Sequence, residues 1–125
     1  MQKKNDLFVI TKTKDIAKYI ITVTEKSPKK FRYTLTTKLQ NFALDALEYL
    51  YLANTESLGE KRENLQKEAR TKLSLLDYFA GLAAEQECIL FKQYEFISKE
   101  VASAIMYLDK WRASDKKRVS TTVSS

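Results

Sequence analysis

The sequence predicts an all-α fold, an up-down-up-down four-helix bundle. The chain of 125 residues contains only two glycines and one proline, and sheets or turn-rich folds need more of both. Apolar residues recur at i, i+3 and i+4 over long stretches, as the buried face of a helix requires. Short polar connections separate these stretches, and short connections make successive helices antiparallel neighbours.

The second helix shows the pattern most clearly. Ser27 suits its N-cap and Pro28 its first helical residue, so the predicted connection from the first helix is very short. No glycine or proline follows as far as Asn54. The predicted core face consists of Leu35, Leu39, Phe42, Ala43, Ala46, Leu50 and Ala53.

The other helices follow from similar apolar stripes. Asn54–Gly59 forms the second connection, since Asn and Gly tolerate a left-handed helix end. The third connection falls near Glu85–Leu90, where the stripe loses phase. The stripes are Ile16, Ile20 and Val23 in the first helix; Leu65, Ala69, Leu73, Leu76, Ala80 and Ala83 in the third; and Leu90, Tyr94, Ile97, Val101, Ala104, Ile105, Leu108 and Trp111 in the fourth. The predicted helices span about residues 13–26, 28–54, 60–85 and 90–113.

The predicted bundle therefore occupies residues 13–114, with a segment on either side. Residues 1–12 are predicted to form a short arm, because Leu7, Val9 and Ile10 are apolar and partly β-branched. Residues 115–125 are basic and rich in Ser and Thr, which predicts a disordered tail.

Composition argues against several kinds of site. The chain contains no histidine, which removes histidine bases, haem ligation by histidine and the Glu-x-x-His pairs of di-iron bundles. The single cysteine, Cys88, is predicted to be a packing residue. We therefore expect a protein without enzymatic activity, metal or cofactor. The lone cysteine and the lack of a long apolar stretch predict a cytoplasmic protein with no membrane partner.

Charge is distributed unevenly around a net +6. Residues 1–38 carry ten Lys/Arg and three Asp/Glu, whereas residues 39–58 carry no Lys/Arg and three Asp/Glu. A basic cluster of this kind either solubilises the protein or binds a polyanion. The candidate nucleic-acid-binding residues are Lys26, Lys29, Lys30 and Arg32, then Lys67, Arg70 and Lys72, and finally Lys116, Lys117 and Arg118.

The first basic group has further features that favour nucleic acid. It lies at a predicted helix start, where the helix dipole attracts anions. Phe31 and Tyr33 add rings that can stack on unpaired bases. The alternative is a solvated helix start with Phe31 packed beneath the loop.

A second set of apolar residues lies away from the predicted core faces. Large tyrosine-rich patches usually mark interfaces, so we expect the chain to associate with copies of itself. The alternative is a wide core with tyrosines lying flat on the surface. The candidate interface residues are Tyr33, Leu44, Leu47, Tyr51, Leu75, Tyr78, Leu82, Phe96 and Tyr107.

Motifs in three of the predicted helices point to one family. They are Asp15-Ile16 and Tyr19 in the first helix, Ser27-Pro28-Lys29, Arg32, Leu35 and Leu52-Ala53-Asn54 around the second, and Gln93-Tyr94, Leu108 and Trp111 in the fourth. Together they resemble small bacterial four-helix-bundle proteins over roughly residues 13–112. That family includes proteins encoded in intervening sequences of 23S rRNA genes and the accessory variability determinant (Avd) of diversity-generating retroelements.

The resemblance to the Avd branch implies a function and partners. It implies a non-enzymatic, cyclic homopentamer whose basic surface engages a reverse transcriptase and its template RNA during mutagenic retrohoming. DNA or an RNA–DNA hybrid is an alternative to RNA as the nucleic-acid partner. The family pattern is matched at Pro28, Lys29 and Arg32, but acidic residues such as Asp77 and Glu85 make the third helix less basic than that pattern.

Two alternatives stay open from the sequence. The chain resembles the rRNA-intervening-sequence branch as well, and the role of that branch is unknown. It is also compatible with a protein–protein scaffold whose basic charge only solubilises it.

Overall fold

The computed structural model describes the backbone of residues 4–124 and the side chains of residues 8–120. Four α-helices and no strand occur within that range, which confirms the all-α, four-helix fold class. The elements are α1 (Lys4–Thr24), a 3-10 turn (Lys29–Phe31), α2 (Leu35–Thr55), α3 (Glu60–Glu85) and α4 (Phe91–Ser124).

Each helix packs against the two beside it, and the contact of α1 with α4 closes the bundle. Because the connections are short, successive helices run in opposite directions. The 3-10 turn and the α3–α4 connection therefore share one end, residues 25–34 with 86–90, which we call the basic end. The opposite end, where α1 begins and α2 meets α3, we call the distal end.

The core is a single apolar cluster to which every helix contributes one stripe. The most extensive pairing joins α2 and α3, and both helices contribute buried alanines to the core, such as Ala46 and Ala80. The predicted stripes are buried or half-buried, apart from Leu90, which is 57% exposed and precedes α4. Inside α3, Gly81 lies beside the Tyr94 ring, which a Cβ there would meet at an ordinary van der Waals distance of 3.4 Å.

The predicted N-terminal arm was wrong from residue 4 onward, because α1 begins at Lys4. Residues 1–3 lie outside the described range. Val9, Thr13 and Ile16 are buried, and their spacing of four and three residues continues the helical stripe toward Ile20. The β-branched residues that suggested an extended arm therefore serve as core residues of a helix.

The predicted start of the second helix was also wrong. Pro28 precedes a 3-10 turn, and α2 begins only at Leu35. Ser27 does not cap the helix, because its Oγ donates to the carbonyl of Cys88 at 2.7 Å. At its other end α2 stops at Thr55, and α3 begins and ends at the residues predicted for it.

The predicted disordered tail was wrong as far as Ser124, where α4 ends, and residue 125 lies outside the described range. No glycine or proline interrupts it. Asp115, one turn beyond Trp111, is 7% exposed and meets two buried donors on α3. Arg62 donates to it through Nε at 2.8 Å and Nη2 at 3.0 Å, and Gln66 Nε2 donates at 2.9 Å. The first half of α3 thus contains the buried polar residues Arg62 and Gln66.

None of the helices within residues 4–124 has the length and apolar content needed to cross a bilayer.

Two Arg–Asp pairs between α3 and α4 differ in burial, so they allow a matched test of how burial affects the contribution of an ion pair to stability. The Arg62–Asp115 side chains are 10% and 9% exposed, and the Arg70–Asp109 side chains are 43% and 44% exposed. We expect Asp115→Ala to lower the free energy of unfolding by about 3–5 kcal/mol, because it leaves a buried guanidinium without its carboxylate.

Asp109→Ala is the control and should cost less than about 1 kcal/mol, since solvent screens an exposed pair. Urea denaturation followed by circular dichroism measures both. Equal losses in the two variants would contradict the assigned role of the buried pair.

Candidate nucleic-acid interface

The backbone between α1 and α2 is folded tightly and tied to the rest of the bundle. Two successive turns are closed by hydrogen bonds: Phe31 N–H donates to Pro28 O at 3.0 Å, and Arg32 N–H donates to Lys29 O at 3.1 Å. The bond from Ser27 Oγ to the Cys88 carbonyl joins this segment to the α3–α4 connection. These bonds hold Lys29, Lys30 and Arg32 at a fixed place on the end of the bundle.

The two aromatic residues of this segment have different environments. Phe31 is half-buried and packs against the core, which is the alternative that the sequence left open for it. Tyr33 is 86% exposed, the highest value among the large apolar and aromatic side chains that the structure describes. One ring therefore anchors the segment and the other projects into solvent.

The basic residues of this segment are free to meet an external anion. Lys30 Nζ lies 5.1 Å from the centre of the Phe31 ring. Glu25 lies nearby, and Glu85 and Glu87 belong to the same end of the bundle. Four cations are nevertheless exposed and form no ion pair with any described residue: Lys26, Lys29, Lys30 and Arg32.

A first cleft of about 390 Å³ lies between the end of α1 and the start of α2. Lys29, Arg32 and Tyr33 line one part of it. Its α1–α2 wall is polar, where Gln40 Nε2 donates to Thr24 Oγ1 at 2.9 Å. The cleft thus combines two cations with hydrogen-bonding groups, a suitable lining for a phosphate.

A second cleft of about 490 Å³ lies between α2 and α3. Two lysines there face the same ring: Lys38 Nζ is 5.5 Å and Lys72 Nζ 5.9 Å from the centre of Phe42. Asp45 also lines the cleft but pairs with neither lysine within the described structure. Tyr33 lines both clefts and so stands between them.

Sequence reasoning missed Lys38. It lies one helical turn before Phe42, a spacing that could have been noticed. Its partner in the cleft, Lys72, is distant in the chain, so the sequence alone does not join them. The structure thereby extends the first basic group along the α2–α3 surface.

The remaining candidates on α3 are already neutralised. Arg70 donates to Asp109 through Nε at 2.9 Å and Nη2 at 3.2 Å. These hydrogen bonds, together with the charge of Asp109, raise the pKa of Arg70 above its ordinary value. Lys67 Nζ lies 3.7 Å from Glu63 Oε1. Both cations are therefore less available to an external anion than those of the basic end.

The third predicted group is distant from the first. Lys116, Lys117 and Arg118 are exposed on α4 near the distal end. Arg118 Nη1 lies 3.8 Å from Asp115 Oδ1. A helix of the length of α2 separates the two ends by about 32 Å. The structure therefore does not bring the three predicted groups into one site.

The candidate interface residues divide into exposed and packed members. Phe96 and Tyr107 pack within the chain, with ring centres 4.5 Å from those of Tyr19 and Phe8 respectively. Leu47 is half-buried, and Leu75 packs against the core. The members exposed by more than a third are Tyr33, Leu44, Tyr51, Tyr78, Leu82 and, despite its packing, Phe96.

Known proteins add no assignment to this geometry. No protein-family model matches the chain, and no curated protein matches it.

Within the described residues, no group of three or more Cys, Asp or Glu side chains could hold a metal ion. Cys88 is a free, buried thiol whose Sγ lies 3.8 Å from Thr36 Oγ1.

Removing the Ser27 hydroxyl tests how the basic segment is held. We expect Ser27→Ala to cost about 1 kcal/mol of unfolding free energy and to speed amide hydrogen exchange in residues 29–34. The matched control is Thr22→Ala, whose hydroxyl bonds only to Lys18 O on the exposed surface of its own helix. Unchanged exchange in the Ser27→Ala variant would contradict the anchoring role.

Proposed function

We propose that this protein is a non-enzymatic, nucleic-acid-binding accessory protein that resembles Avd, the partner of a retroelement reverse transcriptase and its template RNA. RNA is the proposed ligand of the basic end. The observation that carries the proposal is the unpaired set of cations there, next to two clefts that share Tyr33. Phosphate contacts of this kind supply most of the affinity for a nucleic-acid backbone.

Charge compensation on α3 favours this end over the basic residues of α3. Arg62, Lys67 and Arg70 each face a carboxylate. Lys26 and Lys29 do not, among the described residues. A chain that needed positive charge only for solubility would gain as much from paired and scattered lysines, so this concentration favours a polyanion ligand.

We further propose that copies of the chain associate head to tail in a ring, with a pentamer as the expected size. The outer face of α2 is apolar and acidic, with Leu44, Glu48 and Tyr51 exposed. Across the bundle, the outer face of α4 is apolar and basic: Lys92, Phe96, Lys99, Met106 and Lys110 are all exposed. Complementary faces on opposite sides of a protomer suit a heterologous interface.

A protein–protein scaffold without RNA binding is the second candidate. The exposed tyrosines of α2 and α3, Tyr51 at 62% and Tyr78 at 74%, favour it. In that case the apolar faces would be the functional surface and the basic end would only be solvated. Binding to RNA separates the two candidates.

The first test compares two variants that have the same net charge. Replacing Lys29, Lys30 and Arg32 together by Glu changes the charge by six and takes the net +6 to zero. We expect this variant to lose binding to a labelled RNA hairpin, because it removes the phosphate contacts. Binding by the wild type should weaken roughly 50- to 150-fold between about 50 and 200 mM salt for about four phosphate contacts.

The control replaces three exposed lysines away from the basic end, Lys14, Lys18 and Lys61, by Glu, and its net charge is also zero. It should keep most of the affinity, and circular dichroism should show both variants folded. Fluorescence anisotropy measures the binding. Equal losses in the two variants would mean that bulk charge, and not this site, binds RNA.

The second test addresses the ring. Leu44→Asp with Tyr51→Asp should reduce the mass measured by light scattering to that of one chain, 14.5 kDa, because it places charges in an apolar contact. Tyr78→Asp on α3 lies outside both proposed faces and should keep the mass of the wild type. A wild-type protein of 14.5 kDa would refute self-association.

A further inference from the structure

We infer that the basic end takes an unpaired stretch of RNA, with one base stacked on Tyr33 and the flanking phosphates held in the two clefts. This inference rests on the proposed RNA binding and specifies its ligand as single-stranded. Of the two roles that the sequence predicted for Tyr33, base stacking and subunit contact, it selects base stacking.

The position of Tyr33 supports a stacking role. It follows the 3-10 turn and precedes α2, so it projects from the bundle end instead of lying along a helix face. Among the described residues, no other ring and no hydrogen bond engages it. An aromatic ring 86% exposed, on a backbone held by its neighbours, leaves a face open to a base.

The cations on either side of Tyr33 suit a strand that passes over it. Lys29 and Arg32 line the first cleft, and Lys38 and Lys72 line the second. Because Tyr33 lines both clefts, a strand laid from one cleft to the other would bring its phosphates to both cation pairs. The base between those phosphates would then lie at the tyrosine ring.

A duplex does not suit this arrangement. Its bases are stacked on one another, so their faces cannot reach an exposed tyrosine, and it would use only the cations. An unpaired strand uses the cations and the ring together. The ring therefore confers a preference for single strands that phosphate contacts alone do not give.

The experiment compares a labelled single-stranded RNA of about 12 nucleotides with an RNA duplex of the same length. The wild type should bind the single strand at least about 10-fold more tightly at physiological salt. Tyr33→Ala should lose about 5- to 100-fold for the single strand and little for the duplex. Tyr78→Ala removes a tyrosine that is 74% exposed on α3, and it should bind as the wild type does.

A stacked ring also has a spectroscopic signature. Tyr33→Trp should keep the single-strand preference, and single-stranded RNA should quench the fluorescence of the introduced indole. The native Trp111 is 1% exposed at the distal half of α4, so its emission should stay constant in the wild type.

Each outcome decides the inference. RNA binding with equal affinity for single strand and duplex, or equal behaviour of Tyr33→Ala and Tyr78→Ala, would overturn it while the proposed function stands. A fall in the mass of Tyr33→Ala by light scattering would return the ring to the subunit interface and also overturn it. No binding of either RNA would overturn both proposals.

Discussion

The alignment of the bundle depends on the buried ion pair between Arg62 and Asp115. Apolar stripes tolerate a shift of one helix along another, whereas a two-bond contact of a guanidinium with a carboxylate is satisfied in one alignment only. Gln66 adds a third donor to the same carboxylate. With α3 and α4 aligned in this way, the short connection between them places the Cys88 carbonyl where Ser27 can reach it. The ion pair and the Ser27 bond thus hold the α3–α4 hairpin at its two ends.

The chain uses its positive charge in two ways. Along the α3–α4 surface, cations such as Arg70 are bound to carboxylates and hold helices together. At the basic end they have no such partners within the described structure and surround an exposed ring. The first arrangement stabilises the protein, and the second leaves its charge for a ligand. Net charge alone, which counts both equally, does not distinguish them.

The sequence predicted the helical class and most of the core, because helical periodicity is a local property. It did not predict the elements that depend on distant partners. Pro28 suits a helix start and a 3-10 turn equally, and the decisive hydrogen bond of Ser27 reaches a residue 61 positions away. From the sequence, Asp115 looks like part of a polar tail, because its partner Arg62 lies 53 positions earlier and local sequence does not show the pairing. For the same reason the cleft formed by Lys38 and Lys72 needed the α2–α3 pairing to become visible.

The order of the helices also has a kinetic consequence. Three of the four helix pairs join neighbours in the chain, and only α1 with α4 closes a long loop. The α2–α3 hairpin needs the least loop entropy, since residues 56–59 alone connect two helices with the most extensive contact. We expect this hairpin to form first during folding, with Lys38 and Lys72 already flanking Phe42. One half of the cationic surface would then exist before the outer helices dock, and the chain could meet a polyanion while it is still folding.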